Sequence, residues 1–177
     1  MRWLYSLMLV LVTWGVLTSS AQAQFINMAA SVPDDANVLM LMSVDRILAS
    51  QIAQREQWQL KFDNAYSAGL TQIPPDTTRV LVATELDIEY LKPVWELAVL
   101  ELSREPSLPY IAKQLKGQVD KIGTIGAVAL PNDSYIVQLT PSRLAAFSPA
   151  NRQAVGRWLS EIKARGAVGV SPYLKAA

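Results

Sequence analysis

Two stretches of the chain alternate between apolar and polar positions, which is typical of β-strands. In the first, Arg79–Ile88, the even-numbered residues share one face and the odd-numbered residues share the other. In the second, Val94–Leu102, one face carries Trp95, Leu97 and Val99. The pattern therefore predicts two consecutive strands.

A third stretch, Val38–Val44, is apolar without alternation. Short runs of this kind are typical of strands that are covered on both faces. A turn signal, Pro33–Asn37, precedes the run, and Asp45, a favourable helix N-cap, follows it. We therefore predict that Val38–Val44 is the central strand of a sheet.

Helical spacing follows this strand in two segments, 45–54 and 54–68. In the second segment Trp58, Phe62 and Ala65 fall on one stripe, which we expect to pack into the core.

The strongest helical pattern lies near the end of the chain. Ser148 is a favourable N-cap, Pro149 is tolerated in a first helical turn, and Gly166 is a plausible end. Four apolar side chains recur on one face of this helix: Val155, Trp158, Leu159 and Ile162. This face should be buried against the rest of the protein.

Between these elements the chain predicts a short helix, Pro109–Leu115, and then a meander of three strands, Ile122–Leu130, Tyr135–Leu139 and Leu144–Phe147. The complete order predicts an α+β fold, with a largely antiparallel sheet and helices packed on one face. The first six elements, β-α-β-β-α-β, match the ferredoxin-like order, so the start of the fold is expected to be ferredoxin-like.

The N-terminus has the three parts of a secretory signal peptide. Arg2 provides a positive charge, an apolar run extends from Trp3 to Leu17, and Ala21 and Ala23 form an Ala-x-Ala cleavage site. The run is shorter than the ~20 residues that a membrane-spanning helix needs, and an uncleaved anchor is the alternative. We predict a signal peptide over residues 1–23 and an exported protein, either periplasmic or extracellular.

The remaining residues divide into three parts. Residues 24–31 are a flexible lead-in, residues 32–166 a single α+β domain, and residues 167–177 a tail that fits the start of a further segment. The chain is therefore also compatible with the N-terminal part of a larger envelope protein.

The composition excludes several kinds of chemistry. The chain has no histidine and no cysteine, so it cannot form a Ser-His-acid or Cys-His site, or a metal site with imidazole or thiolate ligands. It has no glycine-rich nucleotide-binding motif, and we expect no cofactor. Removal of residues 1–23 takes the formal charge from +1 to 0, because Arg2 is the only charged residue removed. A neutral domain is not expected to bind nucleic acid, and membrane contact is expected only through an uncleaved leader.

Three acidic residues form the candidate metal site. Glu85, Asp87 and Glu89 alternate and would share one face if the strand continued that far. Such carboxylates could bind Ca²⁺ or Mg²⁺, or act as an acid/base pair. The alternative is a solvated strand end.

Two further patterns carry less information. Ser160 and Lys163 have the Ser-x-x-Lys spacing of penicillin-recognising enzymes, but the chain lacks the Lys-Thr-Gly motif that accompanies it. Arg152, Arg157 and Arg165 are expected on the exposed side of the last helix, as a polar face or a small anion site.

Four segments together carry a resemblance. They are Val32-Pro-Asp-Asp-Ala-Asn-Val38, Val44-Asp-Arg-Ile-Leu-Ala-Ser50, Ile73-Pro-Pro-Asp76 and Ser148-Pro-Ala-Asn-Arg-Gln153. In these segments the chain resembles the N-terminal part of uncharacterised exported proteins of planctomycete-type bacteria. The resemblance implies a bacterial exported protein and a longer chain, and it implies no activity.

Three functions fit these patterns. The first is a non-catalytic exported binding or structural module, whose partner is an unknown protein or small ligand. This function predicts an exposed apolar or aromatic patch. The second is a carboxylate-based hydrolase that acts on envelope or extracellular glycan, which requires two acidic residues facing each other in a cleft. The third is a fragment of a larger envelope protein.

Overall fold

The structure, a computed structural model, describes residues 25–165. This part of the chain forms one sheet of seven strands and six helices. The strands are β1 (Val38–Ser43), β2 (Thr77–Asp87), β3 (Lys92–Leu102), β4 (Gln118–Ile122), β5 (Ile125–Leu130), β6 (Ser134–Thr140) and β7 (Arg143–Ser148). The helices are α1 (residues 25–29), α2 (Val44–Leu48), α3 (Gln51–Arg55), α4 (Trp58–Ser67), α5 (Leu108–Gln114) and α6 (Arg152–Arg165).

The sheet consists of two meanders that meet side by side. Its order is β1-β2-β3-β7-β6-β5-β4, and each neighbouring pair is antiparallel. We call the β3–β7 pairing the seam, where Leu97 lies opposite Phe147. The predicted α+β class with an antiparallel sheet is confirmed.

Helices cover both faces of the sheet, whereas the sequence led us to expect them on one. On the first face, α6 and the segment after α1 pack on Leu81, Leu97 and Val137. On the second face, α5 packs on Leu100 and Ile136. Two apolar helices are needed because alternate residues of the central strands are apolar on both sides.

The predicted position of the first strand is wrong. β1 lies at the edge of the sheet and pairs only with β2 among the described residues. Its side chains are largely exposed, with Met40 at 47% and Leu41 at 48%. The sequence shows that this strand is apolar, but its place in the sheet depends on pairing with a strand about 40 residues away.

The expected ferredoxin-like start is also wrong. In a split βαβ unit a helical crossover joins parallel strands. Here the helices α2 to α4 connect β1 to β2, and these two strands are antiparallel neighbours. The order of elements along the chain does not show whether the helices lead to a parallel strand or back to an antiparallel neighbour.

The predicted strand Ile122–Leu130 starts later, as β5 at Ile125, and a strand that the sequence did not predict, β4, precedes it. β4 ends at Ile122 and β5 begins at Ile125, joined by a tight turn at Gly123 and Thr124. Gly123 has a φ of +62°, which a residue without a Cβ adopts at little cost. The sequence prediction missed β4 because its residues are mostly polar.

The helices after β1 also differ from the prediction. They form three short pieces, and the indole of Trp58 is 38% exposed instead of in the core. Phe62 and Ala65 are half-buried, and the residue of α4 that is buried is Tyr66.

The last helix has the predicted facing and a different start. Val155, Trp158 and Leu159 are buried, and Trp158 packs on Phe147 with ring centroids 5.4 Å apart. The helix begins at Arg152, where the side chain of Asn151 accepts hydrogen bonds from the backbone N–H groups of residues 153 and 154. Asn151, and not Ser148, therefore caps the helix.

The signal peptide predicted over residues 1–23, with the cleavage site predicted at Ala21 and Ala23, and the tail 167–177 lie outside the described residues. Within residues 25–165, none of the helices combines the length and the apolar character that crossing a bilayer requires.

Candidate functional site

A cleft of about 680 Å³ opens beside the sheet, between α4 and the start of α5. The loop before β2 and the loop after β3 complete its walls. Two tyrosines, Tyr66 and Tyr110, and three prolines, Pro74, Pro75 and Pro106, line it. We call it the tyrosine cleft.

The hairpin of β2 and β3 creates this cleft. Thr77 at the start of β2 lies opposite Leu102 at the end of β3, so the loops that flank these residues meet. Arg104 donates a hydrogen bond to Asp76 with an N–O distance of 2.6 Å, which ties the two loops together.

Two side-chain contacts hold the helical walls. Ser107 caps α5, because its hydroxyl oxygen accepts a hydrogen bond of 3.4 Å from the backbone N–H of Tyr110. Gln114 of α5 donates a hydrogen bond of 3.4 Å to the backbone oxygen of Tyr66 in α4. The two tyrosines therefore stand on helices that are linked to each other.

The two tyrosines differ in exposure. The side chain of Tyr110 is 53% exposed, whereas Tyr66 is only 8% exposed. Burial raises the pKa of the Tyr66 phenol above its ordinary value, and the nearby Tyr110 and Asp76 add to the rise. Tyr66 is therefore a neutral hydroxyl group at neutral pH, and Tyr110 presents its ring to a ligand.

Acidic groups outnumber basic ones in the tyrosine cleft. It is lined by Asp63, Asp76 and Glu105 and by one cation, Arg104. A different donor engages each acid: Gln59 donates to Asp63 at 2.8 Å, Arg104 to Asp76, and Gln138 to Glu105 at 3.2 Å. The cleft thus has a negative rim around aromatic and proline surfaces.

The three acids predicted as a metal site lie elsewhere, at the β2–β3 turn. β2 ends at Asp87, so the condition for a shared face, continuation of the strand to Glu89, is not met. The carboxylate of Asp87 accepts hydrogen bonds from the backbone N–H groups of Glu89 and Tyr90, at 2.9 and 3.1 Å, and so shapes the turn. Residues 25–165 contain no group of three or more acidic side chains placed to hold a metal ion. The structure gives the metal site formed by Glu85, Asp87 and Glu89 no support, and metal binding there stays a prediction.

The other polar residues singled out in the sequence have structural contacts. Ser160 donates a hydrogen bond of 2.9 Å to the backbone oxygen of Gly156, one helical turn earlier. Arg152 donates to both carboxylate oxygens of Asp120 and to the backbone oxygen of Lys121. Arg157 is exposed on α6.

The sequence analysis missed the tyrosine cleft. In the sequence, Ile73–Asp76 entered only as part of the resemblance, and Pro109 only as the start of a short helix. The sequence did contain one signal for the cleft. Pro74 and Pro75 come just before the first of two consecutive predicted strands, and Pro106 comes just after the second. A hairpin of these strands brings the loops together, and Tyr110 follows in the helix that the second loop introduces.

No protein-family model matches the chain, and no curated protein and no solved structure is significantly similar to it.

Proposed function

We propose that the protein is an exported, non-catalytic binding module whose ligand site is the tyrosine cleft. The observation that carries the proposal is the exposed ring of Tyr110 beside a buried tyrosine in a concave site with a negative rim. Ligand sites are concave and carry a few polar groups among apolar walls.

The chemistry of the walls favours an extended, basic segment of a partner protein. Aromatic grooves bind proline-rich segments because these are already extended in solution. A tyrosine ring also attracts an arginine or lysine side chain. The acids Asp63 and Glu105 favour a cationic ligand over an anionic one.

The leader supports export, and the resemblance to exported bacterial proteins agrees with it. A periplasmic or extracellular location would place the tyrosine cleft among envelope or secreted partners. A role as the first domain of a larger envelope protein is compatible with the same binding function.

The hydrolase alternative has less support. A glycosidase needs two carboxyl groups available on opposite sides of the scissile bond. In the tyrosine cleft each acid already accepts a hydrogen bond from a neighbouring side chain. Binding without turnover is therefore the function that the site supports best.

A calorimetric titration tests the proposal. The probe is a proline-rich decapeptide with three arginines, and the comparison peptide has glutamate at those three positions. We expect saturable binding of the arginine peptide only, weaker at high salt, with the peptide recovered intact by mass spectrometry. Absence of saturable binding at millimolar peptide would overturn the proposal, and cleavage of the peptide would overturn its non-catalytic part.

A pair of matched variants locates the site. Tyr110→Ala should weaken binding at least about tenfold, which corresponds to about 1.4 kcal/mol. Tyr90 is 65% exposed but lies in the β2–β3 turn, so Tyr90→Ala should leave the affinity unchanged. Equal effects of the two substitutions would place the ligand outside the tyrosine cleft.

A further inference from the structure

The edge strand β1 has one paired side and one open side within the described residues. It forms a regular six-residue ladder with β2, from Val38 opposite Thr84 to Ser43 opposite Arg79, without a register shift. In such a pair alternate residues direct their backbone N–H and C=O groups away from the partner strand. β1 thus offers a straight row of hydrogen-bonding groups about 20 Å long.

This edge has none of the features that normally prevent edge-to-edge pairing. Proteins protect sheet edges with charged residues, prolines or bulges. β1 has no charge, no proline and no bulge, and Val38, Met40 and Leu41 are 42–48% exposed. The opposite edge, β4, carries Asp120 and Lys121.

The sequence of β1 and its position disagree. Its unbroken apolar run is typical of a covered strand, yet the described residues leave it at the edge. In natural proteins the local sequence pattern of an element usually agrees with its place in the fold, and exceptions are concentrated at functional surfaces. A further strand laid against β1 would remove the disagreement, because it would satisfy the backbone groups and cover the side chains.

We propose that a second copy of this chain covers β1, by antiparallel pairing of the two β1 strands about a two-fold axis. The charges at the two ends of the strand support this occupant. The turn before β1 contains Asp35, which is exposed, and Arg46 is exposed just after it. Asp45, the other charge after the strand, has Arg79 as an ion-pair partner at 3.9 Å. Antiparallel pairing brings the acidic end of one strand beside the basic end of the other.

The antiparallel pairing also restricts the register. A continuous antiparallel sheet keeps each face, so the axis must pass through a residue of β1 and not between two residues. An axis at Met40 or at Leu41 keeps five of the six residues of β1 opposite strand residues of the partner. Either axis forms an isologous dimer with a sheet of 14 strands, twice the seven described for one chain.

Sedimentation velocity over a concentration series tests the dimer. The purified protein should sediment as a dimer at micromolar concentration. Leu41→Lys places two like charges at or next to the axis and should produce a monomer that melts as the parent chain does, since this side chain is half exposed. The matched control is Val119→Lys on β4, where the valine is 55% exposed and the dimer should persist.

A charge exchange tests the antiparallel arrangement of the two strands. Asp35→Lys and Arg46→Glu should each weaken the dimer about tenfold, because each creates a like-charge contact across the interface. The double variant should regain most of the affinity. Loss without recovery would overturn the antiparallel arrangement.

Three outcomes would overturn the proposal as a whole. One is a monomer at every concentration. A second is a dimer that Val119→Lys disrupts as strongly as Leu41→Lys does. A third is a monomer that becomes a dimer when the chain is ended after Arg165, which would assign β1 to residues of the same chain. None of these results depends on ligand binding in the tyrosine cleft.

Discussion

The indole N–H of Trp158 donates a hydrogen bond to the backbone oxygen of Ser31, with 2.9 Å between the nitrogen and the oxygen. Both residues are buried, and they lie 127 positions apart in the chain. The bond satisfies a polar group inside the core and fixes α6 on the segment that follows α1. Trp158 thus connects the first and the last described elements.

Substitutions at Trp158 should separate the hydrogen bond from the packing. Trp158→Phe leaves the oxygen of Ser31 without this donor and should cost about 1–3 kcal/mol of unfolding free energy. Trp158→Ala also leaves a cavity and should cost about 3–5 kcal/mol. Urea denaturation measures both values. The control, Trp58→Phe at a partly exposed site, should change stability by less than about 0.5 kcal/mol, and an equally small effect of Trp158→Phe would contradict the role of the bond.

Gly117 should tolerate no side chain. It lies between α5 and β4, and an added Cβ would be 2.6 Å from the backbone oxygen of Ala129 and 2.8 Å from side-chain carbons of Val128 and Leu130. Because a strand backbone cannot move away cheaply, Gly117→Ala should cost about 1–3 kcal/mol in thermal or urea unfolding.

A glycine in open space provides the comparison. At Gly123 an added Cβ would have no atom within 4 Å, so only its positive φ matters. Asparagine adopts this conformation readily, and Gly123→Asn should stay within about 0.5 kcal/mol of the parent chain. If Gly117→Ala lowered the unfolding free energy less than Gly123→Asn does, the backbone at Gly117 would lie farther from Ala129 than described.

Asp120 should make the stability depend on pH. The hydrogen bonds from the Arg152 guanidinium lower the pKa of this carboxyl below its ordinary value, and the backbone N–H of Lys121 and the Tyr135 hydroxyl contribute. A lowered folded-state pKa favours the folded state above the unfolded value of about 3.9. This contribution is lost as the pH falls through the folded-state pKa.

Thermal melts of the parent chain and Asp120→Asn measure this contribution. The variant should melt lower at pH 7, and the difference should shrink below about pH 4, as the pH falls from the unfolded-state pKa of Asp120 through its lower folded-state pKa. A constant difference between the parent chain and Asp120→Asn from pH 7 to pH 2 would contradict the assignment.

Local patterns predicted the elements well and their arrangement poorly. The two faces of β2 and the buried face of α6 follow from spacing, because each residue's side is set by the local backbone. The position of β1 does not follow, because an apolar strand can satisfy the same pattern in the centre of a sheet or beneath a partner. β4 escaped prediction since Asp120 and Lys121 hide its strand character.

The tyrosine cleft was beyond the reach of local patterns for a similar reason. Tyr66 belongs to one helix and Tyr110 to another, and Asp76 meets Arg104 only after β2 and β3 have paired. Among the acids singled out in the sequence, Glu85 lies in β2 and Asp87 shapes the turn that follows this strand. Residues that are close in sequence therefore pointed to a turn, whereas the cleft forms only when β2 and β3 pair and bring distant residues together.

The seam also determines how the polypeptide can assemble. The chain leaves β3 at Leu102 and returns to it only with Arg143, whereas β2 and β3 on one side of the seam, and β4 to β7 on the other, are joined by short connections. Local hairpins form sooner than contacts that close long loops. A nascent chain that emerges N-terminus first therefore carries β3 with one side unsatisfied until β7 arrives. That interval is when the folding chain is most exposed to aggregation and has most to gain from a chaperone.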